Sequence, residues 1–109
     1  MDIRAVTGAL EDAGFTIAPS SASPAAFGGV AAERSDAVEA TQHGTTRVSV
    51  HRFAEPSGAI EAGSFLGSDR PRGLRYFAAG RALVVVEADD PELADAAYTV
   101  LTQAARKLT

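Results

Sequence analysis

Between residues 70 and 81 the chain carries Arg70, Arg72, Arg75 and Arg81, with no acid among them. Four guanidinium groups so close in sequence could hold a carboxylate or a phosphate, because the planar fork matches both. They also suit the wet face and turn of a β-hairpin, where charged side chains oppose aggregation. Glu87, Asp89, Asp90, Glu92 and Asp95 follow at once, an acidic patch able to neutralise them. The solvated hairpin is the favoured expectation, and an anion site is its rival.

A second group lies in "TRVSVHRF". Arg47, Ser49 and His51 alternate with Val48 and Val50, the period of a strand with one apolar face. If this strand lies beside the hairpin, Arg75 and Phe77 can join its polar face. The candidate ligand-binding set is therefore Arg47, His51, Arg72 and Arg75, and the candidate interface residues are Phe77 and Arg75. His51 would be the acid or base, since an imidazole titrates near neutrality. The plainer reading is an amphipathic strand with one solvated side. A partly apolar exposed face would also serve as a dimer interface.

Other chemistry finds no arrangement to use. The acids of "EADDPE" sit where a helix N-terminus wants them and lack the loop spacing and glycine of a calcium site. His43 and His51 have no third histidine and no cysteine to complete a zinc site. "GSFLGSDRPRG" lacks the Gly-Lys-Ser/Thr ending of a phosphate-binding loop, and "AGSFLG" does not match a nucleophile elbow. No catalytic residue, no metal and no cofactor is expected.

At 109 residues the chain has the length of one domain, 1–109. It is 46% hydrophobic and 22% charged, with only 6% aromatic residues, so the core is built of small and aliphatic side chains. The absence of cysteine excludes disulfides and thiolate chemistry. A net charge of −4 argues against sequence-independent nucleic-acid binding, which depends on neutralising phosphates. No stretch is long enough for a membrane span. The opening "MDIRAVTGALEDAGF" lacks the pattern of a signal peptide. A cytoplasmic location is expected if Met1 is the native start, and export if a leader was removed.

The elements follow from capping and periodicity. "DIRAVTGALEDAGF" reads as a short helix with Asp2 as N-cap and Gly14 as its stop. "FTIAPS" is a short strand with Phe15 and Ile17 on one side. "SSASPAAFGG" is a loop whose Phe27 could form a lid over a pocket, although a phenylalanine tucked into the core is the more common case. Residues 30–44 read either as a ragged strand pair or as a loop with a strand near Ala37 to Ala40. "EPSGAIEAGSFLG" is a helix with Pro56 at its start, anchored by Ile60 and by Phe65 or Leu66. Gly58 and Gly63 weaken it unless they allow close packing on the sheet. "LRYFAAGRALVVVEA" is a hairpin with Gly80 at its turn. "DDPELADAAYTVLTQAARKLT" is the best helix, capped by Asp90 and started by Pro91. Leu93, Ala96, Ala97, Val100, Leu101, Ala104 and Leu108 form its apolar stripe. The sum is an α+β fold, α-β-(β)-β-α-β-β-α, an antiparallel sheet with helices packed on one face.

The runs "RVSVHRFAEPSGAIEAG" and "RYFAAGRALVVVEADDPELADAAYTVL" are similar to a group of small bacterial α+β domains. In these a strand ends at an aromatic residue, a short helix follows, and an aromatic-x-x-Gly-Arg hairpin leads to an acid-capped helix. Many members look secreted or lipid-anchored, but this chain shows no leader and no anchoring cysteine. The resemblance covers about half of the chain, implies the β-α-β-β-α core and carries over no site residue. The functional expectation is a non-enzymatic module that binds a protein partner or its own copy. The alternative is a domain that binds an acidic small molecule through the Arg/His sheet face.

Overall fold

The computed structural model describes residues 1–22, 26–68 and 72–107. The chain opens with α1 (Ile3–Asp12), where the Asp2 carboxylate accepts the Ala5 N–H at 2.9 Å. The helix stops at Gly14, whose φ of 94° only glycine adopts easily. There the Gly14 N–H donates to the Glu11 carbonyl and the Phe15 N–H to the Leu10 carbonyl, the two bonds of a Schellman cap. Leu10 and Phe15 are both buried, so the cap also starts the core.

Strand β1 (Thr16–Ser20) follows, and then a small ribbon of β2 (Ala26–Phe27) and β3 (Val30–Ala31). The stretch that was ambiguous in sequence holds β3 and the eight-residue β4 (Arg34–Thr41), which includes the expected strand at Ala37 to Ala40. Next come β5 (Thr45–Arg52), α2 (Pro56–Ser68), the hairpin β6 (Leu74–Ala79) and β7 (Ala82–Glu87), and α3 (Pro91–Lys107). The Asp90 carboxylate accepts the Glu92 N–H at 2.9 Å, so the expected cap forms. Arg70 and Leu108 lie outside the described residues.

The main sheet has the order β1-β4-β5-β7-β6 with every neighbour antiparallel. The α+β class and the antiparallel sheet are as the sequence implied. The placement of the helices is not, because they divide between the two faces. Val38, Val48, Val50, Val84 and Val86 pack under α1 and α3, while Leu83, Val85 and Phe53 pack under α2 and the ribbon. The physical reason lies in β7. Ala82 to Val86 are all buried, so this strand is apolar on both sides and each side needs a cover.

The anchors of α2 also differ from expectation. Ile60 and Phe65 are the exposed large apolar residues among the described residues, at 61% and 51%, while Ala59 and Ala62 are fully buried and Leu66 packs beside them. Small residues face the sheet because the helix lies close to it. A Cβ on Gly63 would come 3.2 Å from the Tyr76 ring, and one on Gly58 would come 3.2 Å from Phe53. The glycines that lower helix propensity therefore permit the packing. In α3, Ala94, Ala97 and Leu101 are buried, so Ala94 belongs to the stripe in place of the exposed Ala96.

Candidate functional site

His51 is buried at 7% exposure between two equally buried serines. Its Nδ1 lies 2.7 Å from Ser35 Oγ and its Nε2 lies 3.0 Å from Ser49 Oγ. Register explains the arrangement: Ser35 is directly across from His51 on β4, and Ser49 is two residues away on the same side of β5. A neutral imidazole offers one donor and one acceptor, and a hydroxyl can turn to match either. The Phe27 ring of the ribbon closes the top, edge-on to the imidazole at 5.0 Å. Burial pushes the His51 pKa below the ordinary 6.5, and the Arg47 charge pushes it the same way. Both ring nitrogens are engaged beneath the ribbon, so the geometry makes His51 a satisfied core residue. The expected solvated side of this strand is covered at Ser49 and His51.

The other expected site residues scatter. Arg47 is on the His51 face, but it lies between Glu39 and Glu87 on the neighbouring strands and donates to the Ser21 carbonyl at 3.0 Å. Arg75 is on the opposite face, where its Nε meets the Asp95 carboxylate of α3 at 2.7 Å. The acidic stretch at 87–95 thus neutralises this member of the arginine group, as its proximity suggested. Phe77 is also on that opposite face, half-buried and edge-to-face with Tyr98 at 5.8 Å. Arg72 is exposed at the approach to β6, and its carbonyl accepts from Arg75 Nη1. Arg47 with His51, and Arg75 with Phe77, form two pairs separated by the thickness of the sheet. Arg81 sits in the hairpin turn and lines a separate cleft with Arg4, Arg34 and Arg52. Sequence reading missed Arg34 and Arg52 because only the strand register brings them together.

A further feature with binding capacity is the free edge of the sheet. Of its two edge strands, β1 contains Pro19, which has no N–H to offer. The β6 edge carries no proline. Its turn is the two-residue Gly80–Arg81, with Gly80 at φ 60° and Ala79 paired with Ala82. In such a hairpin the closing pair is hydrogen-bonded and the pairs then alternate. Arg75 and Phe77 therefore bond to β7, while Tyr76 and Ala78 turn their N–H and C=O groups outward. The Ala88 N–H donating to the Gly73 carbonyl at 2.9 Å keeps the same phase at the other end. The Leu74 carbonyl is engaged by Arg75 Nη1, so Tyr76 and Ala78 are the β6 residues that turn both an open N–H and an open C=O outward.

The flank of this edge is apolar. Gly63 and Gly67 face Tyr76. Ile60 precedes them by three and seven residues, so it is on the same flank of α2. Phe65 is on the other flank, over Gly28 of the ribbon. Among the described residues no helix is long and apolar enough to cross a membrane. No family model, curated protein or solved structure matches the chain.

Proposed function

We propose that the protein is a non-enzymatic interaction module that associates with its own copy through the β6 edge. The observation that carries this reading is the pair of outward backbone groups at Tyr76 and Ala78, flanked by the exposed Ile60. A strand with unpaired N–H and C=O groups is a template for another strand. An antiparallel pairing about Tyr76 would set Leu74 of one copy opposite Ala78 of the other. The pairing is self-complementary, as a two-fold interface requires. It would join the two sheets and bring the α2 flanks together, covering Ile60. The only charge that β6 contributes, Arg75, is already neutralised by Asp95.

Two substitutions test the edge without touching the core. Ala78→Pro removes an outward N–H that the ladder within one copy does not use, and an edge strand tolerates proline. Ile60→Glu puts a charge on the exposed flank. Sedimentation should give a dimer mass for the unaltered protein and a monomer mass for both variants, with unchanged far-UV circular dichroism. A monomer at all concentrations for the unaltered protein would refute the proposal. Phe77→Glu is a poor test, because Phe77 packs against Tyr98 and the core, so its loss would lower the stability of the fold as well.

A further inference from the structure

A second concentration of positive charge among the described residues lies away from the Ile60 flank, and of the arginines that the sequence singled out it includes Arg81 alone. A cleft of about 480 Å³ opens at the end of the sheet where α1 begins. Arg34 on β4, Arg52 on β5 and Arg81 in the β6–β7 turn rim it on successive strands, and Arg4 faces them from the first turn of α1. Val50, Ala82 and Ile3 supply an apolar floor. Adjacent strands lie ~4.8 Å apart, so Arg34 and Arg52 stand side by side, and Arg81 follows in the turn just before Ala82, the β7 partner of Arg52.

The charge balance is what gives the cleft meaning. It gathers four of the chain's ten basic side chains and only two of its fourteen acids, in a protein of net charge −4. One of those acids, Asp2, caps α1, and the other, Asp36, meets Arg34 Nε at 3.0 Å. Among the described residues, Arg52 and Arg81 have no carboxylate partner. Arg34 and Arg52 are direct cross-strand partners, and like charges in that position destabilise a sheet. An anion seated between them would convert this repulsion into two charge-assisted contacts.

We infer that this cleft binds a small organic anion bearing two or more phosphate or carboxylate groups. The volume falls within the roughly 300–1,000 Å³ of small-molecule sites. The forks match anionic groups spread over several ångströms, and the floor accepts a neutral body between them. The acidic remainder of the surface repels a longer polyanion, which selects a small ligand over a nucleic acid. This inference does not depend on self-association through β6.

Calorimetric titration with inorganic pyrophosphate and with citrate, at low ionic strength, tests it. Both the unaltered protein and the Arg52→Gln/Arg81→Gln double variant are titrated, with Arg72→Gln as a control outside the cleft. Saturable one-site binding of at least one probe is expected, weakened at least about tenfold in the double variant and unchanged in the control. Binding of pyrophosphate alone assigns the cleft to phosphates, and binding of citrate alone assigns it to carboxylates. The double variant is exposed at both positions and should melt no lower than the parent without ligand, because a like-charge contact is gone. No saturable binding of either probe, or equal binding by the double variant, would overturn the assignment.

Discussion

Gly73→Ala is expected to cost roughly 3 kcal/mol or more and to lower the melting temperature by more than about 10 °C. The reason is space. A Cβ on Gly73 would run into the Ala88 carbonyl oxygen, which is backbone and cannot swing aside. The Ala88 N–H also donates to the Gly73 carbonyl at 2.9 Å, so the two backbone segments are locked together where β6 begins. Any shift that admits the methyl group must open this end of the hairpin. It would carry Leu74 out of its buried position and disturb the hold of Arg75 on Asp95. Gly8→Ala is the matched control. Gly8 lies within α1 with nothing near its would-be Cβ, so alanine there should stabilise by up to about 1 kcal/mol. Thermal melts of the two variants check both signs. A Gly73→Ala protein that melts with the parent would show that the backbones are not in this close approach.

His51→Ala should cost about 2–4 kcal/mol, because it leaves a void beneath Phe27 and strands two buried hydroxyls. A pH signature distinguishes this side chain from an ordinary core residue. Burial, and then Arg47, hold the folded-state pKa of His51 below the ordinary 6.5. The unfolded chain therefore takes up this proton before the folded one does. The stabilisation from the neutral ring is complete above about pH 6.5 and declines as the pH falls toward the folded pKa. The slope in that window is at most about 1.4 kcal/mol per pH unit from this one group. Asp2 acts in a separate, lower range. Its carboxyl is held below the ordinary 3.8 chiefly by the Ala5 N–H, so its contribution is lost in stronger acid. Urea midpoints at pH 7.5 and 5.5 should fall for the parent, and fall less for His51→Ala. A parent midpoint that does not fall between these pH values would mean that the imidazole is not kept neutral by the fold.

Both effects come from how strands are placed against each other, and this is also where sequence reading stopped. The helix ends were legible because their signals are local. Asp2 and Gly14 bound α1, and Asp90 and Pro91 start α3, within a few residues of the groups they satisfy. The β6–β7 hairpin was legible for the same reason, with Gly80 at its turn. The buried face of α2 is hard to read in sequence because small residues, and not large ones, line it. Ala59, Ala62 and Gly63 face the sheet, and the large Ile60 points away. The two-sided cover of the sheet was written in "ALVVV", an apolar run without alternation, but such a run needs its neighbours known before it can be read.

The site residues depended most on long-range register. Alternation within β5 correctly grouped Arg47, Ser49 and His51, yet it could not say what lay above them. Arg75 and Phe77 were separated from that group by one residue of phase in the β6–β7–β5 pairing. The pairing also brings Arg34 beside Arg52 and Arg52 beside Ala82, the residue that follows Arg81. These residues are up to 47 positions apart in the chain, and no local pattern joins them.

The reading of β6 as a self-association edge is tested most directly at its own amides. Hydrogen exchange followed by NMR, at high and at low protein concentration, separates the inward from the outward N–H groups of this strand. Phe77 should be protected at every concentration, because its N–H bonds to β7 within one copy. Tyr76 and Ala78 should be protected at high concentration and exchange faster on dilution, in parallel with the loss of dimer mass. Free exchange at Tyr76 and Ala78 at every concentration, beside a protected Phe77, would contradict the account.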